Sequence, residues 1–283
     1  PYESAEIVPV SSRTGEGLDD LKAALSRAAK VTKRQKASDT ARLPIDRVFT
    51  IKGAGTVITG TLWSGAVSTG DELEVLPSGR ISRVRSIQIH GESVERAEAG
   101  HRVALNLNAL STDEVRPGDF LATPHTVTAT DRFDADFTFL GLPSSDKPLE
   151  SGARVHVSHG TREVIGRILR IGGGQPIERG ERVYTQIRLD EELPVSWQDH
   201  FIVRSYSPVH VIGGGVVLRA HPKRSTTATP EKIALLDALR NGDEIRAAEC
   251  AFLLEKAPVT CKALAQATGC GEASAQSALE ALE

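Results

Sequence analysis

The stretch DRVFTIKGAGTVITGTL, residues 46–62, decides the fold of the first half of the chain. It contains two runs rich in valine, isoleucine, threonine and phenylalanine, and Gly-Ala-Gly at residues 53–55 separates them. β-Branched and aromatic residues on both sides of a glycine turn are typical of a β-hairpin. The stretch therefore predicts two antiparallel strands joined by a short connection.

Similar short runs continue along most of the chain. ELEVL, VRSIQI and RVALNL follow the first stretch, and a second series begins at RFDADFTFL and ends at HVIGGGVVL. Short strands separated by glycine-containing turns are typical of small antiparallel barrels. We predict a mainly β protein with two antiparallel β-barrels, at residues 42–124 and 129–222.

The two ends of the chain have helical patterns. At the N-terminal end IVPV is followed by a polar turn and by leucines at three- and four-residue steps, which predicts a strand, a loop and a helix. We interpret residues 1–36 as the remnant of an α/β domain with a basic linker. Residues 228–283 are rich in alanine, leucine and glutamate, and their turn Gly269-Cys270-Gly271 has the outline of a helix-turn-helix.

Composition limits the kinds of partner that the chain can have. The 283 residues are 40% apolar and 25% charged, with a net charge of -3, so any nucleic acid must be held by local basic patches. No apolar run approaches the roughly 20 residues needed to span a bilayer. The three cysteines show no C-x-x-C spacing. We expect a cytoplasmic protein without a membrane partner, and we expect a monomer.

The residues themselves do not indicate catalysis. The phosphate-loop signature G-x-x-x-x-G-K-[ST] is absent, and the glycine clusters precede no helix pattern, so strand bulges and tight barrel corners explain them. The eight histidines do not have the spacing of a metal site on a helix. No nucleophile turn of the form G-x-S-x-G is present. We therefore predict no metal and no catalytic residue in this chain.

The motif Gly53-Ala54-Gly55-Thr56-Val57-Ile58-Thr59-Gly60, of the form G-x-G-T-V-x-T-G, resembles the second domain of translational GTPases. VRSIQIHGESVERAEAGHRVALNL, HVSHGTREVIGRIL and FIVRSYSPVHVIGGGVVL are similar to the family of selenocysteine-specific elongation factors, SelB. A helical segment after the third-domain barrel also follows the order of that family, which carries winged-helix domains there. The resemblance covers essentially the whole chain and identifies residues 228–283 as the start of a first winged-helix domain.

The resemblance implies a role in delivering selenocysteyl-tRNA to the ribosome at recoded UGA codons, with GTP. Asp46, Arg47 and Arg102 match the positions that line the amino-acid pocket. A selenol is largely ionised at neutral pH, whereas a cysteine thiol, with a pKa of about 8.5, is mostly neutral. Two guanidinium groups would therefore favour the selenolate, and Asp46 would orient one of them. Surface ion pairs are the alternative role for both arginines.

Further expectations follow from the same resemblance. Ser11, Ser12 and Arg13 match the last guanine-binding loop of a GTPase domain, with serine at residue 12 where alanine is common. Arg162, Arg167 and Arg170 form the nearest basic cluster for the tRNA backbone. We expect no cofactor in this chain, which should not hydrolyse GTP, and GTP with Mg²⁺ in the parent protein. The messenger RNA hairpin should bind to other domains of the parent, since residues 230–283 hold five basic against nine acidic residues.

Two other functions remain open from the sequence. The first is a general aminoacyl-tRNA carrier GTPase, against which the appended helical segment and the IGGGVVL strand argue. The second is a non-catalytic β-barrel scaffold that binds a protein partner.

Overall fold

The computed structural model of the protein describes residues 6–31, 40–51, 55–141, 147–255, 260–269, 275–277 and 279–280. Contacts between residues divide the chain into two compact units, Pro1–Ser38 and Asp39–Glu283. The first unit contains one described helix, and the second contains the strands and three helices.

In the first unit, helix α1 spans Leu18–Val31 and confirms the helix predicted from the leucine spacing. Gly17 precedes it with a φ of 75°, and a Cβ at that position would lie 2.2 Å from the carbonyl oxygen of Pro9, so only glycine fits. The strand predicted at residues 7–10 is wrong. Ile7 is 90% exposed, and a strand requires a neighbouring strand to satisfy its backbone groups.

The first barrel is an antiparallel sheet of seven strands whose order is β4-β9-β1-β2-β8-β5-β6, and pairing between β4 and β5 closes it into a six-stranded barrel. A separate pair, β3 with β7, lies beside it. Leucine, isoleucine, valine and alanine side chains fill its core. The strands are β1 Arg42–Ile51, β2 Gly55–Thr61, β3 Ala66–Ser68, β4 Glu72–Leu76, β5 Arg80–Ile89, β6 Glu92–Val94, β7 Arg96–Glu98, β8 Arg102–Leu107 and β9 Phe120–Ala122.

The second barrel is closed and antiparallel, with strand order β10-β13-β12-β11-β14-β15. Four phenylalanines dominate its core, with Phe133 and Phe201 in edge-to-face contact at 5.2 Å. The two barrels confirm the predicted fold class. The strands are β10 Thr130–Phe139, β11 Ala153–His159, β12 Arg162–Arg170, β13 Arg182–Leu193, β14 His200–Ser205 and β15 Val211–Arg219.

Two glycines of β15, Gly213 and Gly215, are required by close packing against β10, and Gly214 is required by close packing against Phe201 of β14. A Cβ on Gly213 would lie 2.3 Å from the carbonyl oxygen of Thr138, and one on Gly215 would lie 2.1 Å from that of Asp136. Real Cβ atoms do not approach backbone oxygens so closely, so the strands would have to separate. The glycines therefore permit barrel closure, which agrees with the interpretation that they do not form a phosphate site.

Three helices pack on the outer face of the second barrel. They are α2 Pro230–Asn241, α3 Glu244–Glu255 and α4 Cys261–Thr268, with Thr229 and Thr260 as N-caps of α2 and α4. The core of this helical region includes Ile171 and Leu218 of the barrel, so the helices and the barrel share apolar contacts. None of the helices described is long and apolar enough to cross a membrane.

The predicted helix-turn-helix is only partly covered by the described residues. Gly269 ends α4 with a φ of 73°, and residues 275–277 and 279–280 are helical. Cys270, Gly271 and Ala278 lie outside the described residues, so the turn itself and the winged-helix assignment stay predictions.

The barrels meet through buried ionic contacts. Arg162 on β12 donates through Nη1 to Asp119 at 3.2 Å and through Nη2 to Glu191 at 2.6 Å. Arg42 on β1 makes two hydrogen bonds to Asp199, at 2.9 and 2.6 Å. The contacts Arg162–Asp119 and Arg42–Asp199 each join a residue of one barrel to a residue of the other, whereas Glu191 lies on β13 of the same barrel as Arg162, so the relative position of the barrels depends on the first two.

We predict that Gly215→Ala destabilises the protein by about 1–3 kcal/mol, because the added methyl group overpacks the contact between β15 and β10. Gly174→Ala is the matched control, since nothing lies within 4 Å of its Cβ position, and its effect should stay within about 0.5 kcal/mol. Urea unfolding of both variants measures the difference. Equal stabilities for the two variants would contradict the close packing described for β15.

We predict that Arg162→Ala lowers the free energy of unfolding by about 3 kcal/mol, because it removes the partner that the buried carboxylate of Asp119 has on the other barrel. Arg83→Ala, which removes an exposed ion pair with Glu72, should cost less than about 1 kcal/mol. Tryptophan fluorescence during urea unfolding is a suitable probe, since Trp63 lies 5.5 Å from His159 at this interface. A cost for Arg162→Ala no larger than that of the control would disprove its role as an inter-barrel contact.

Candidate functional site

A β-bulge in β1 turns two consecutive polar side chains away from the core of the first barrel. The pairing of β1 with β2 shifts register between Ile45 and Arg47. Ile45 lies in the core and Val48 packs against it, although the two residues are three positions apart. Regular alternation would place only one of them inside, so the bulge places both Asp46 and Arg47 outside.

Asp46 is held by two neighbouring strands. Arg102 at the start of β8 donates to its carboxylate through both terminal nitrogens, Nη1 to Oδ2 at 2.5 Å and Nη2 to Oδ1 at 3.2 Å. Thr59 on β2 adds a hydrogen bond from its hydroxyl to Oδ1 at 2.6 Å. The side chain of Arg102 is 51% exposed and that of Asp46 only 24% exposed. Asp46 therefore fixes the direction of Arg102 while the guanidinium still faces solvent.

Arg47 has a different environment. Its side chain is exposed, and within the described part of the chain it makes no ion pair or hydrogen bond. Sequence reasoning named Asp46, Arg47 and Arg102 together, and the structure joins Asp46 to Arg102 directly. The carboxylate of Asp46 pairs with Arg102 alone, so the charge of Arg47 is not balanced by it.

Thr59 was missed by the sequence analysis. The motif G-T-V-I-T-G was used only to predict the fold, although the hydroxyl of Thr59 donates a hydrogen bond to the carboxylate of Asp46. The sequence signal for Thr59 is a second threonine on β2, next to β1, which carries the outward-facing carboxylate of Asp46.

This arrangement suits anion binding. A free guanidinium and a half-exposed one present planar sets of N–H donors, which make charge-assisted hydrogen bonds to anionic groups. The described residues include no group of three or more histidine, cysteine or acidic side chains placed to hold a metal ion. Two open cavities of the described chain, of about 500 and 410 Å³, are lined by none of Asp46, Arg47 and Arg102.

The three residues of the predicted guanine loop lie in the first unit. Ser11 closes a turn, since its carbonyl oxygen accepts from the amide of Gly15 at 2.9 Å and its hydroxyl accepts from the amide of Thr14 at 3.2 Å. Ser12 and Arg13 are exposed. The turn leaves both side chains accessible, but it includes nothing that would hold phosphates or a metal ion.

The three arginines predicted to contact a tRNA backbone have three different environments. Arg162 is only 8% exposed, and its donors are taken by Asp119 and Glu191. Arg170 is paired with Glu181 at 2.7 Å, whereas Arg167 is exposed and bonded only to a carbonyl oxygen. We therefore remove Arg162 from the candidate tRNA-binding residues and assign it to the barrel interface. Its spacing in the sequence could not reveal that it lies at the buried end of a strand.

Comparison with protein-family models matches both barrels. Residues 55–122 match elongation factor Tu domain 2, and residues 139–224 match the β-barrel domain of the selenocysteine-specific elongation factor. The first match includes Arg102 and Thr59.

Curated relatives extend the similarity. The selenocysteine-specific elongation factor of Desulfomicrobium baculatum is 42% identical over 216 residues, which cover 76% of this chain and 34% of the relative. That of Haemophilus influenzae is 34% identical over 223 residues, which cover 78% of this chain and 34% of the relative. Elongation factor Tu 2 of Streptomyces avermitilis is 30% identical over 177 residues, or 62% of this chain and 45% of the relative. The general carrier is thus matched over a shorter part of the chain.

Solved structures give the same result. A bacterial selenocysteine-specific elongation factor matches 95% of this chain and 43% of its own length, with a TM-score of 0.77 and 28% identity. SelB from Methanococcus maripaludis in complex with a GTP analogue matches 78% of this chain and 52% of its own length, with a TM-score of 0.65 and 27% identity. The chain belongs to the family of selenocysteine-specific elongation factors, and it spans about a third of the length of the curated relatives that it matches.

Proposed function

We propose that this chain is the aminoacyl-tRNA-binding part of a factor that delivers selenocysteyl-tRNA to the ribosome at recoded UGA codons in a GTP-dependent manner. The observation that carries the proposal is the group of Asp46, Arg47 and Arg102 on the outer face of the first barrel. One arginine is oriented by a carboxylate and the other is unpaired within the described residues. Such a group recognises an anion much better than a neutral side chain.

Charge distinguishes the three amino acids that such a site must separate. Selenocysteine is largely ionised at neutral pH, cysteine is mostly neutral because its thiol has a pKa of about 8.5, and serine is neutral. A hydrogen bond to a charged group contributes roughly 1.5–3 kcal/mol, which corresponds to about tenfold to hundredfold discrimination for each contact. Arg102 and Arg47 would supply these contacts to the selenolate.

Asp46 acts as a positioning residue in this proposal. Its two hydrogen bonds with Arg102 hold the planar guanidinium in one orientation, so less rotational freedom is lost when an anion binds. The hydrogen bond from Thr59 holds the carboxylate in turn. One carboxylate against two guanidinium groups still leaves a net positive charge for the ligand.

The second barrel would hold the stem of the tRNA. Arg167 is exposed and suits contact with the phosphate backbone, whereas Arg170 shares its charge with Glu181. The buried contacts of Arg162 and Arg42 fix the second barrel against the first, which would set the distance between the stem site and the aminoacyl site.

The proposed contacts with GTP are inferred only from membership of the family. Ser11, Ser12 and Arg13 would contact the guanine base in the parent protein, but the residues present do not fit the phosphates or Mg²⁺, and no hydrolytic step is assigned to this chain. We propose that the protein is cytoplasmic and monomeric and that the messenger RNA hairpin binds outside residues 1–283.

Protection of the aminoacyl ester tests the proposed function. With the full-length factor and GTP, the ester of selenocysteyl-tRNA should hydrolyse much more slowly than those of cysteyl- and seryl-tRNA. Arg102→Ala or Arg47→Ala should reduce this preference by about tenfold to hundredfold, because each removes a charge-assisted hydrogen bond. Arg85→Ala, an exposed arginine on β5, is the matched control and should keep the preference. Equal protection of all three esters in the unmodified factor would indicate a general carrier instead.

The pH dependence of cysteyl-tRNA protection tests the charge mechanism separately. Raising the pH from 7 to about 9 converts the thiol to thiolate, since its pKa is about 8.5. We therefore expect protection of the cysteyl ester, measured relative to the free ester at the same pH, to rise toward that of the selenocysteyl ester. Protection of the seryl ester should not change. If cysteyl protection stays constant across this range, recognition depends on the size of the side chain and not on its charge.

A further inference from the structure

The segment between β15 and α2 connects the second barrel to the helices. It is rich in serine and threonine, a composition typical of loops. Its backbone is nevertheless held by the barrel, since Gln186 on β13 donates from its side-chain amide to the carbonyl oxygens of Lys223 at 3.0 Å and Ser225 at 3.2 Å. The amide of Gly172 donates to the carbonyl oxygen of Thr226 at 2.9 Å. The connecting segment is therefore bound to the barrel at several points.

An ion pair inside the protein joins the start of α2 to the barrel. The ammonium of Lys232 lies 3.3 Å from Oδ2 of Asp134 on β10 and donates to the carbonyl oxygen of Ser225 at 2.8 Å. Gln186 donates to the other carboxylate oxygen, Oδ1, at 2.9 Å. The side chain of Lys232 is only 8% exposed, and that of Asp134 is fully buried. We call Lys232 and Asp134 the buried pair.

Stability alone does not explain the buried pair. Burial raises the pKa of Asp134 and lowers the pKa of Lys232, although the charge of each partner acts in the opposite direction. Removing two charges from water costs free energy that offsets their attraction, so replacing such a pair by uncharged side chains is often neutral or stabilising. The two charges at this position therefore require another explanation.

The apolar contacts between the helices and the barrel hold the helical region in place less specifically. Ile171 and Leu218 of the barrel belong to one cluster with Leu235 of α2 and Leu264 of α4. The hydrophobic effect is non-directional, so a rotated helical region could bury a similar apolar area. A rotation would, however, separate the buried pair and leave each buried charge without its partner, which is strongly unfavourable. The buried pair thus penalises other orientations.

Two further polar contacts lie nearer the other end of α2. Trp197 donates from Nε1 to the carbonyl oxygen of Leu239 at 3.2 Å, and the hydroxyl of Tyr184 donates to the carboxylate of Asp237. The side chain of Asp237 is 43% exposed, so water can replace Tyr184 as its partner. An exposed polar group pays no burial penalty when its partner leaves, so this contact opposes a rotation less than the buried pair does.

We propose that the buried pair restricts the helical region to one orientation on the second barrel and contributes little to its stability. Buried polar groups that select one structure at little or no gain in stability are known from other proteins. The inference goes beyond the proposed function, and its consequence rests on that function. RNA held by parts of the factor outside residues 1–283 would act on the barrels through one fixed geometry. The alternative is a helical region that rotates freely about its connecting segment.

Pulsed electron paramagnetic resonance measures the orientation directly. Spin labels attached to p-acetylphenylalanine in place of Ile202 on β14 and Leu253 on α3, two exposed positions, leave the native cysteines unlabelled. We expect one narrow distance distribution for the otherwise unmodified chain. Lys232→Met with Asp134→Asn removes both charges and keeps the size of both side chains. It should widen the distribution about twofold or more, while the midpoint of urea unfolding stays the same or rises.

Arg246→Met with Glu249→Gln is the matched control. It removes an ion pair of 3.4 Å within α3 and should leave the distance distribution unchanged. A narrow distribution in the variant without the buried pair would overturn the proposal, because apolar packing would then set the orientation alone. A broad distribution in the unmodified chain would overturn it as well. A urea midpoint far below that of the control would make the buried pair a stabilising contact and not an orientation restraint.

Limited digestion with trypsin tests the proposal where the double variant fails to fold. Lys223 and Arg224 are exposed residues of the connecting segment, so trypsin would cut after them readily if the segment opened. In the unmodified chain we expect both bonds to resist cleavage until the protein unfolds, and rapid cleavage at either would reject the fixed orientation. None of these changes involves Asp46, Arg47 or Arg102. Ester protection can therefore succeed or fail independently of this result.

Discussion

The structure of the second unit depends on the carboxylate of Asp199, which lies buried between the two barrels. Arg42 of the first barrel binds both of its oxygens, and His159 of the second barrel lies 3.1 Å from one of them. Burial alone would raise the pKa of Asp199, but the hydrogen bonds from His159 and Arg42 outweigh burial and hold the pKa well below its ordinary value. The carboxylate therefore stays charged, and a charged group in this position requires both partners. This requirement fixes the barrels against each other more specifically than apolar contact alone would.

The sequence predicts the barrels because the residues that form each strand and turn are close together in the chain. Alternating β-branched residues indicate strands, and glycines between them indicate turns. The run of three glycines in IGGGVVL indicates a close approach of backbones, which the structure shows between Gly215 and β10. The strand predicted at residues 7–10 fails because strand formation depends on a neighbour, which the pattern of a single run does not contain. A local pattern alone therefore does not establish a strand.

The candidate sites show the same limit. Asp46 and Arg102 are 56 positions apart and were assigned to one site from family motifs, and their direct hydrogen bonds depend on the bulge in β1. The burial of Arg162 and the alignment of Arg167 with Arg188 depend on strand register. Register is set by turns and core packing across four strands, so spacing along the chain does not reveal which arginines become neighbours. Basic residues that look scattered in the sequence can therefore form one surface.

The arginines differ in exposure and in their partners, and these differences suit them to different roles. Arg102 is oriented by a carboxylate and half exposed, which suits a single small anion whose position must be well defined. Arg167 is exposed and donates to a carbonyl oxygen, which suits contact with a ligand that carries many equivalent charges. The buried pairs of Arg162 and Arg42 belong to neither class, because their donors are already satisfied inside the protein. A net charge of -3 does not exclude local anion binding by Arg102, because net charge does not describe how charges are distributed over the surface. In the proposed function, the buried contacts of Arg42 and Arg162 would hold an RNA stem on the second barrel at a set distance from the aminoacyl site on the first.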